Sequence, residues 1–102
     1  VLNPRLTKVG AVRGFSKGGG LPRRAGQRPA PHSPYFGPGY WASLQLAAAN
    51  ETIRSFEYLF VEAQADCGRD LPRPIAGRIA IPQTSGIGFE PDMHVIERFA
   101  AT

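Results

Sequence analysis

Alternating apolar and polar side chains mark residues 55–61 as a strand. Phe56, Tyr58 and Phe60 would point to one side of an extended backbone, and Glu57 would point to the other. A two-residue period of this kind is typical of a half-buried strand. The pattern therefore predicts a strand whose aromatic face packs on a core.

Apolar residues at helical spacing predict a helix over residues 38–50. The helix begins near Pro38, and Asn50 is an acceptable terminator. One face of it is formed by Tyr40, Leu44, Ala47 and Ala48, with Trp41 beside them. The small alanines would allow this helix to pack closely against a sheet.

Weaker signals complete the expected secondary structure. Short apolar runs predict strands at 27–31 and 78–81, and a last amphipathic helix at 91–100 would carry Pro91 at its first helical position. A helix over 13–25 should be broken, short or frayed, because an interior proline costs about 3 kcal/mol.

The order of these elements indicates an α/β fold. A short strand leads to His32, a loop rich in proline and glycine follows, and the helix of residues 38–50 comes next. Strand, loop and helix form the half-unit of an α/β barrel, in which functional groups lie at the C-terminal ends of the strands. The 102 residues are too few for a whole barrel, which needs roughly 200 or more.

Three segments resemble the mandelate racemase/muconate lactonizing enzyme group of the enolase superfamily. Residues 31–50 resemble its seventh barrel strand and following helix, 3–10 the end of its sixth strand, and 86–92 its C-terminal return segment. The resemblance implies the C-terminal part of a (β/α)7β barrel from a longer enzyme. Residues 1–62 would supply its last strands and helices, and 63–102 an extension that packs back on the barrel or the cap.

The resemblance assigns catalytic roles to His32 and Glu57, which should lie at the same end of adjacent parallel strands and face one cavity. The family's histidine at this place is one of two bases that remove a proton next to a carboxylate, and imidazole suits this task near neutral pH. Glu57 matches a glutamate that hydrogen-bonds the substrate carboxylate when protonated, a form that burial would favour. Structural alternatives remain: His32 could bond a loop carbonyl, and Glu57 could face solvent.

Arg5 departs from the family pattern. Racemases of this family often carry an aspartate here, hydrogen-bonded to the histidine that corresponds to His32. A nearby cation would disfavour imidazolium, which is the opposite of what an aspartate does. Lys8 is retained, whereas Ala11 replaces the family's usual second glycine after Gly10.

Metal ligands are not expected in this chain. By resemblance, the parent enzyme would bind Mg²⁺ through three carboxylates on earlier strands, which also carry its second base, a lysine. The chain alone should therefore bind no cofactor and be inactive. The substrate would be a small carboxylate, but racemase, epimerase, cycloisomerase and dehydratase activities all stay open. The parent is expected to be a cytoplasmic homo-oligomer.

Charge adds a competing interpretation. The net charge is +4, and residues 1–31 contain no acidic side chain but seven basic ones: Arg5, Lys8, Arg13, Lys17, Arg23, Arg24 and Arg28. Such a stretch could belong to a small basic module that binds nucleic acid, although Phe15 alone offers a stacking surface there. An inactive structural remnant is a third possibility.

The one cysteine, Cys67, fits a reducing compartment, and no apolar run could span a membrane.

Overall fold

The computed structural model describes residues 3, 5, 8, 12–14, 26, 29–32 and 36–101. Within them, residues 12–14 are helical, and most of the expected 13–25 helix lies outside the described residues. The other elements, in chain order, are α1 (Pro38–Ala48), β1 (Pro74–Ile75), β2 (Arg78–Ile79) and α2 (Met93–Phe99).

Helix α1 confirms the helix predicted over residues 38–50, with slightly shorter bounds. Pro38 occupies the first turn, where its missing N–H costs nothing. Gly37 precedes it with φ of 65°, a left-handed conformation that favours glycine. The helix ends at Ala48, and Ala49 is its C-cap. The predicted terminator, Asn50, accepts hydrogen bonds from the backbone N–H and hydroxyl of Thr52 in a local turn.

The core is built on one face of α1. Tyr40, Trp41 and Leu44 are at most 2% exposed, which confirms the predicted face at these positions, whereas Ala48 is exposed. Partly buried apolar side chains surround them: Phe56, Tyr58, Leu71, Ile79, Ile81 and Phe89. Helix α1 is therefore the element on which the other segments pack.

Edge-to-face ring contacts connect α1 to distant parts of the chain. The Tyr40 ring lies 5.9 Å from that of Phe56 and 6.3 Å from that of Tyr58, between centroids. Trp41 contacts Phe89 in the same manner at 5.1 Å. Such pairs add about 0.5–1.5 kcal/mol each beyond the area that they bury.

The strand predicted at residues 55–61 was wrong. Residues 53–59 form neither helix nor strand, and no neighbouring segment among the described residues forms a hydrogen-bonded ladder with them. The aromatic alternation is only partly used, because Phe56 and Tyr58 pack on α1 while Phe60 is 92% exposed. Side-chain periodicity predicts which face is buried, but a strand also requires a backbone partner.

The predicted strand at 78–81 is present but shorter. Residues Arg78–Ile79 pair antiparallel with Pro74–Ile75 in a two-residue hairpin. Its turn residues, Ala76 and Gly77, have φ of 50° and 74°, the left-handed values that a type I′ turn requires. At 27–31, Pro29 forms a single β-bridge, and residues 27 and 28 lie outside the described part.

The C-terminal segment returns to the middle of the chain. Gly68 and Pro91 form an isolated antiparallel bridge, flanked by hydrogen bonds from Arg69 N–H to the Glu90 carbonyl and from Asp92 N–H to the Cys67 carbonyl, both 2.8 Å. The Gln45 amide on α1 also donates to the carbonyls of Pro82 and Ile87, at 3.0 and 3.4 Å.

Helix α2 confirms the last predicted helix, but Pro91 is not its first residue. Asp92 is the N-cap, and its carboxylate accepts from the backbone N–H groups of His94 and Val95. Pro91 stands before the cap, in the bridge to Gly68. An aspartate that satisfies two free N–H groups begins a helix better than a proline, which only fits its first turn.

The described elements do not include parallel strands. They are two helices and one antiparallel hairpin, besides the helical residues 12–14. The partial barrel and the division between residues 1–62 and 63–102 therefore stay predictions.

We expect Gly68→Ala to destabilise the protein by about 1–3 kcal/mol, the usual cost of overpacking a core. A Cβ at this position would lie 2.6 Å from Trp41 Cη2 and 2.7 Å from Phe89 Cε2. Urea unfolding followed by tryptophan fluorescence measures the loss. Phe89→Ala is the matched control. The double variant should lose less unfolding free energy than the sum of the losses in the two single variants, and strict additivity would contradict the clash.

The raised pKa of the Tyr40 phenol should lower the free energy of unfolding at alkaline pH. Burial, and to a lesser extent Tyr58 and Asp66, raise the pKa of Tyr40 well above its ordinary value of 10.0. As pH rises above 10.0, the unfolded chain releases this proton first, so the free energy of unfolding decreases.

The comparison for this prediction is Tyr40→Phe. At neutral pH the variant should lose about 0.5–1.5 kcal/mol, because the Tyr40 hydroxyl donates to the Pro72 carbonyl at 2.6 Å. Above pH 10 its stability should depend less steeply on pH than that of the wild type. Equal slopes in urea titrations would contradict the assignment.

Candidate functional site

Three residues from distant parts of the chain meet at one place. Arg5 Nη2 lies 2.6 Å from His32 Nε2, and His32 Nδ1 contacts Glu57 Oε2. The two residues that the resemblance assigned to catalysis are thus in direct contact. His32 also contacts Arg5, the residue that departs from the family pattern. The expected placement on adjacent parallel strands was wrong, because neither residue lies in a regular element.

The two contacts of the imidazole determine where its proton lies. A guanidinium only donates, so His32 Nε2 accepts from Arg5. The other ring nitrogen, Nδ1, then carries the proton and lies in contact with the Glu57 carboxylate. The ring is neutral in this arrangement, and its basic lone pair is covered by the Arg5 cation.

The site is partly exposed to solvent. The side chains of His32 and Glu57 are 32% and 40% exposed, and Arg5 is half-buried. Arg5 Nε is buried and has no hydrogen-bond partner among the described residues. The half-buried Arg5 side chain therefore presents a satisfied donor at Nη2 and an unsatisfied donor at Nε.

Core packing positions two of the three residues. His32 follows Pro31, which is fully buried. Glu57 stands between Phe56 and Tyr58, whose rings both pack against Tyr40 of α1. Aromatic burial on either side of Glu57 therefore directs its carboxylate toward the imidazole.

Other chemically capable side chains lie elsewhere. Asp66 uses one carboxylate oxygen to accept from the Gly68 N–H at 2.8 Å. His94 is exposed on α2, as expected. Over the part of the chain that the structure describes, no group of three or more histidine, cysteine, aspartate or glutamate side chains could hold a metal ion.

A groove beside α1 is distinct from the site. It has a volume of about 650 Å³ and is lined in part by Leu44, Phe56 and Arg78. Neither His32 nor Glu57 lines this groove. The site is a half-exposed cluster of side chains, and the common cavity that His32 and Glu57 should face stays a prediction.

Sequence reasoning identified Arg5 as a departure from the family but did not foresee its contact with His32. The available signal was its position, where the family places an aspartate that bonds the same histidine. The structure shows Arg5 in contact with His32, at the position where the resemblance would place an aspartate.

The basic stretch is only partly visible. Among its seven cations the structure describes Arg5, Lys8 and Arg13; the others lie outside the described residues. Nucleic-acid binding therefore stays a prediction. No helix among the described residues is long and apolar enough to cross a membrane.

Comparison with known proteins agrees with the resemblance. The family model described as enolase C-terminal domain-like matches residues 1–95. No curated protein matches the chain significantly, and neither does any solved structure. The family match spans the segments that carry Arg5, His32 and Glu57, and it extends through α1 and the hairpin to the first three residues of α2, 93–95. The chain therefore belongs to the enolase C-terminal domain-like family, whose proteins have an α/β fold.

Proposed function

We propose that the chain is the C-terminal portion of an enzyme of the mandelate racemase/muconate lactonizing enzyme group. The parent reaction is abstraction of the proton α to a carboxylate, with His32 as the group that accepts it. The observation that carries the proposal is the convergence of Arg5, His32 and Glu57. The family match over residues 1–95 supports the same chemistry.

The orientation of His32 suits proton transfer. Its Nδ1 contacts the Glu57 carboxylate, so the ring presents Nε2 as the basic atom. Once Nε2 accepts a proton, the neighbouring carboxylate stabilises the imidazolium that forms. A carboxylate that orients a histidine in this manner is a common partner in general base catalysis.

Glu57 has a different immediate role from the one that the resemblance implied. In this arrangement its Oε2 contacts His32 Nδ1, so its negative charge lies beside the base. Donation to a substrate carboxylate would require the protonated form of Glu57. We infer that orientation of His32 is its first function, and that contact with the substrate uses its other oxygen.

The described residues by themselves do not supply the ligands that the superfamily's metal ion needs. Enolase superfamily members generally use Mg²⁺. Mg²⁺ prefers octahedral oxygen ligation, and the described residues offer only Glu57 at the site, with no group of three ligands elsewhere among them. We therefore assign metal binding, and the second base, to segments of a longer polypeptide.

The substrate class that this chemistry requires is a small carboxylic acid with an α-hydrogen. Racemase or epimerase activity results if the proton returns to the α-carbon, and acid-sugar dehydratase activity if a β-hydroxyl leaves. The parent would act as a cytoplasmic homo-oligomer. The chain by itself should be inactive, because charge that develops on the enediolate has no metal to stabilise it.

Exchange of the α-proton tests this function. A longer polypeptide that also carries the superfamily's metal ligands, incubated in D₂O with Mg²⁺ and a panel of α-hydroxy and α-amino acids, should replace the α-proton of one of them by deuterium. His32→Asn should lower the exchange rate by about 10²–10⁴-fold, the usual contribution of a general base. NMR of the α-proton measures the rate.

His94→Asn is the matched control, since His94 is exposed on α2, and it should leave exchange unchanged. The 102-residue chain should show no exchange under the same conditions. Equal exchange in the His32→Asn and wild-type proteins would refute the assignment of the base. Exchange by the 102-residue chain that depends on His32 would refute the account of the missing metal ligands.

A further inference from the structure

We propose that Arg5 is a carboxylate-binding residue that covers His32 until the substrate arrives. This inference rests on the proposed function, because it names how the same site selects and admits its substrate. In the structure, the guanidinium occupies the only lone pair through which His32 can accept a proton. Proton abstraction therefore requires Arg5 to leave Nε2.

The free donor of Arg5 identifies the ligand. The Nε–H and one Nη2–H of a guanidinium point the same way and form a fork that matches the two oxygens of a carboxylate. Nη2 is bound to His32, whereas Nε is buried and lacks a partner among the described residues. A single imidazole nitrogen satisfies half of the fork, and a carboxylate would satisfy both donors.

The Arg5 guanidinium should bind a carboxylate more strongly than it binds His32. The present acceptor on His32 is neutral, while a carboxylate gives a charge-assisted, two-point contact, and such bonds are roughly twice as strong as neutral ones. The group is also half-buried, where an unsatisfied donor is costly. Binding of the carboxylate would therefore move Arg5 away from His32 and give Arg5 Nε a hydrogen-bond acceptor at the same time.

Uncovering the base completes the proton-transfer step. With Arg5 on the carboxylate, Nε2 faces the α-carbon next to that same carboxylate. The C–H bond breaks, its electron pair moves into the enediolate of the substrate, and the proton passes to Nε2. Glu57 keeps its contact with Nδ1 throughout, so the imidazolium retains an anionic neighbour. A molecule without a carboxylate leaves the base covered.

Selectivity for anions follows from this arrangement. A neutral amide of the same shape offers one carbonyl oxygen and no charge, so it competes poorly with His32 for the guanidinium. The substrate carboxylate therefore acts both as the group that Arg5 recognises and as the signal that exposes the base.

The test is NMR of the imidazole nitrogens in the 102-residue chain during titration with lactate. The chain contains two histidines, so His94 provides an internal reference. Lactate should shift the Nε2 resonance of His32 in a saturable manner and leave that of His94 unmoved. Lactamide, the neutral isostere, should bind at least tenfold more weakly.

Two variants separate charge from geometry. Arg5→Gln should weaken lactate binding by about tenfold or more, which corresponds to at least about 1.4 kcal/mol. Arg5→Lys keeps the charge but lacks the planar fork, so it should bind more weakly than the wild type and more tightly than Arg5→Gln. Fluorescence of Trp41, which is buried in the core, confirms that each variant is folded.

The outcomes distinguish this inference from the proposed function. Unchanged lactate affinity in Arg5→Gln, equal shifts with lactamide, or no saturable shift of His32 would each overturn it. Carboxylate binding that requires Arg5, combined with no α-proton exchange in the longer polypeptide, would refute the proposed function while supporting the role of Arg5.

Discussion

Burial of the Tyr40 and Trp41 rings is the interaction on which the rest of the structure depends. These two side chains and Leu44 form the buried centre, and the surrounding segments contain little regular structure of their own. Tyr40 packs against both aromatic neighbours of Glu57. The position of the candidate site is thus determined by side-chain burial on one helix, where a barrel would use the hydrogen bonds of its strands.

The sequence predicted helices better than strands, for a physical reason. Helix α1 satisfies its backbone hydrogen bonds within 11 residues, so local periodicity was sufficient to place it. Residues 55–61 have the side-chain pattern of a strand, but their backbone needs a partner that lies far away in sequence. His32 and Glu57 were identified through family resemblance. Their mutual contact, and that with Arg5, depends on tertiary packing that no local pattern encodes.

Reversal of charge at position 5 changes what controls the histidine. An aspartate would stabilise a protonated ring, whereas Arg5 binds the neutral ring and occupies its lone pair. Because Glu57 lies on the opposite nitrogen, the imidazole separates a cation from an anion. Opposite charges on either side hold the ring in one tautomer, so the cluster is already ordered in the absence of a ligand.

The two hydrogen bonds of Gln45 have a consequence for proteolysis. Residues 82–87 contain no helix or strand, yet the Gln45 amide binds the carbonyls at both ends of this stretch. A protease needs an extended, mobile substrate, so cleavage here requires those two bonds to open. Nicking between residues 82 and 87 would therefore report how often α1 loosens, and the same loosening would release the rings beside Glu57.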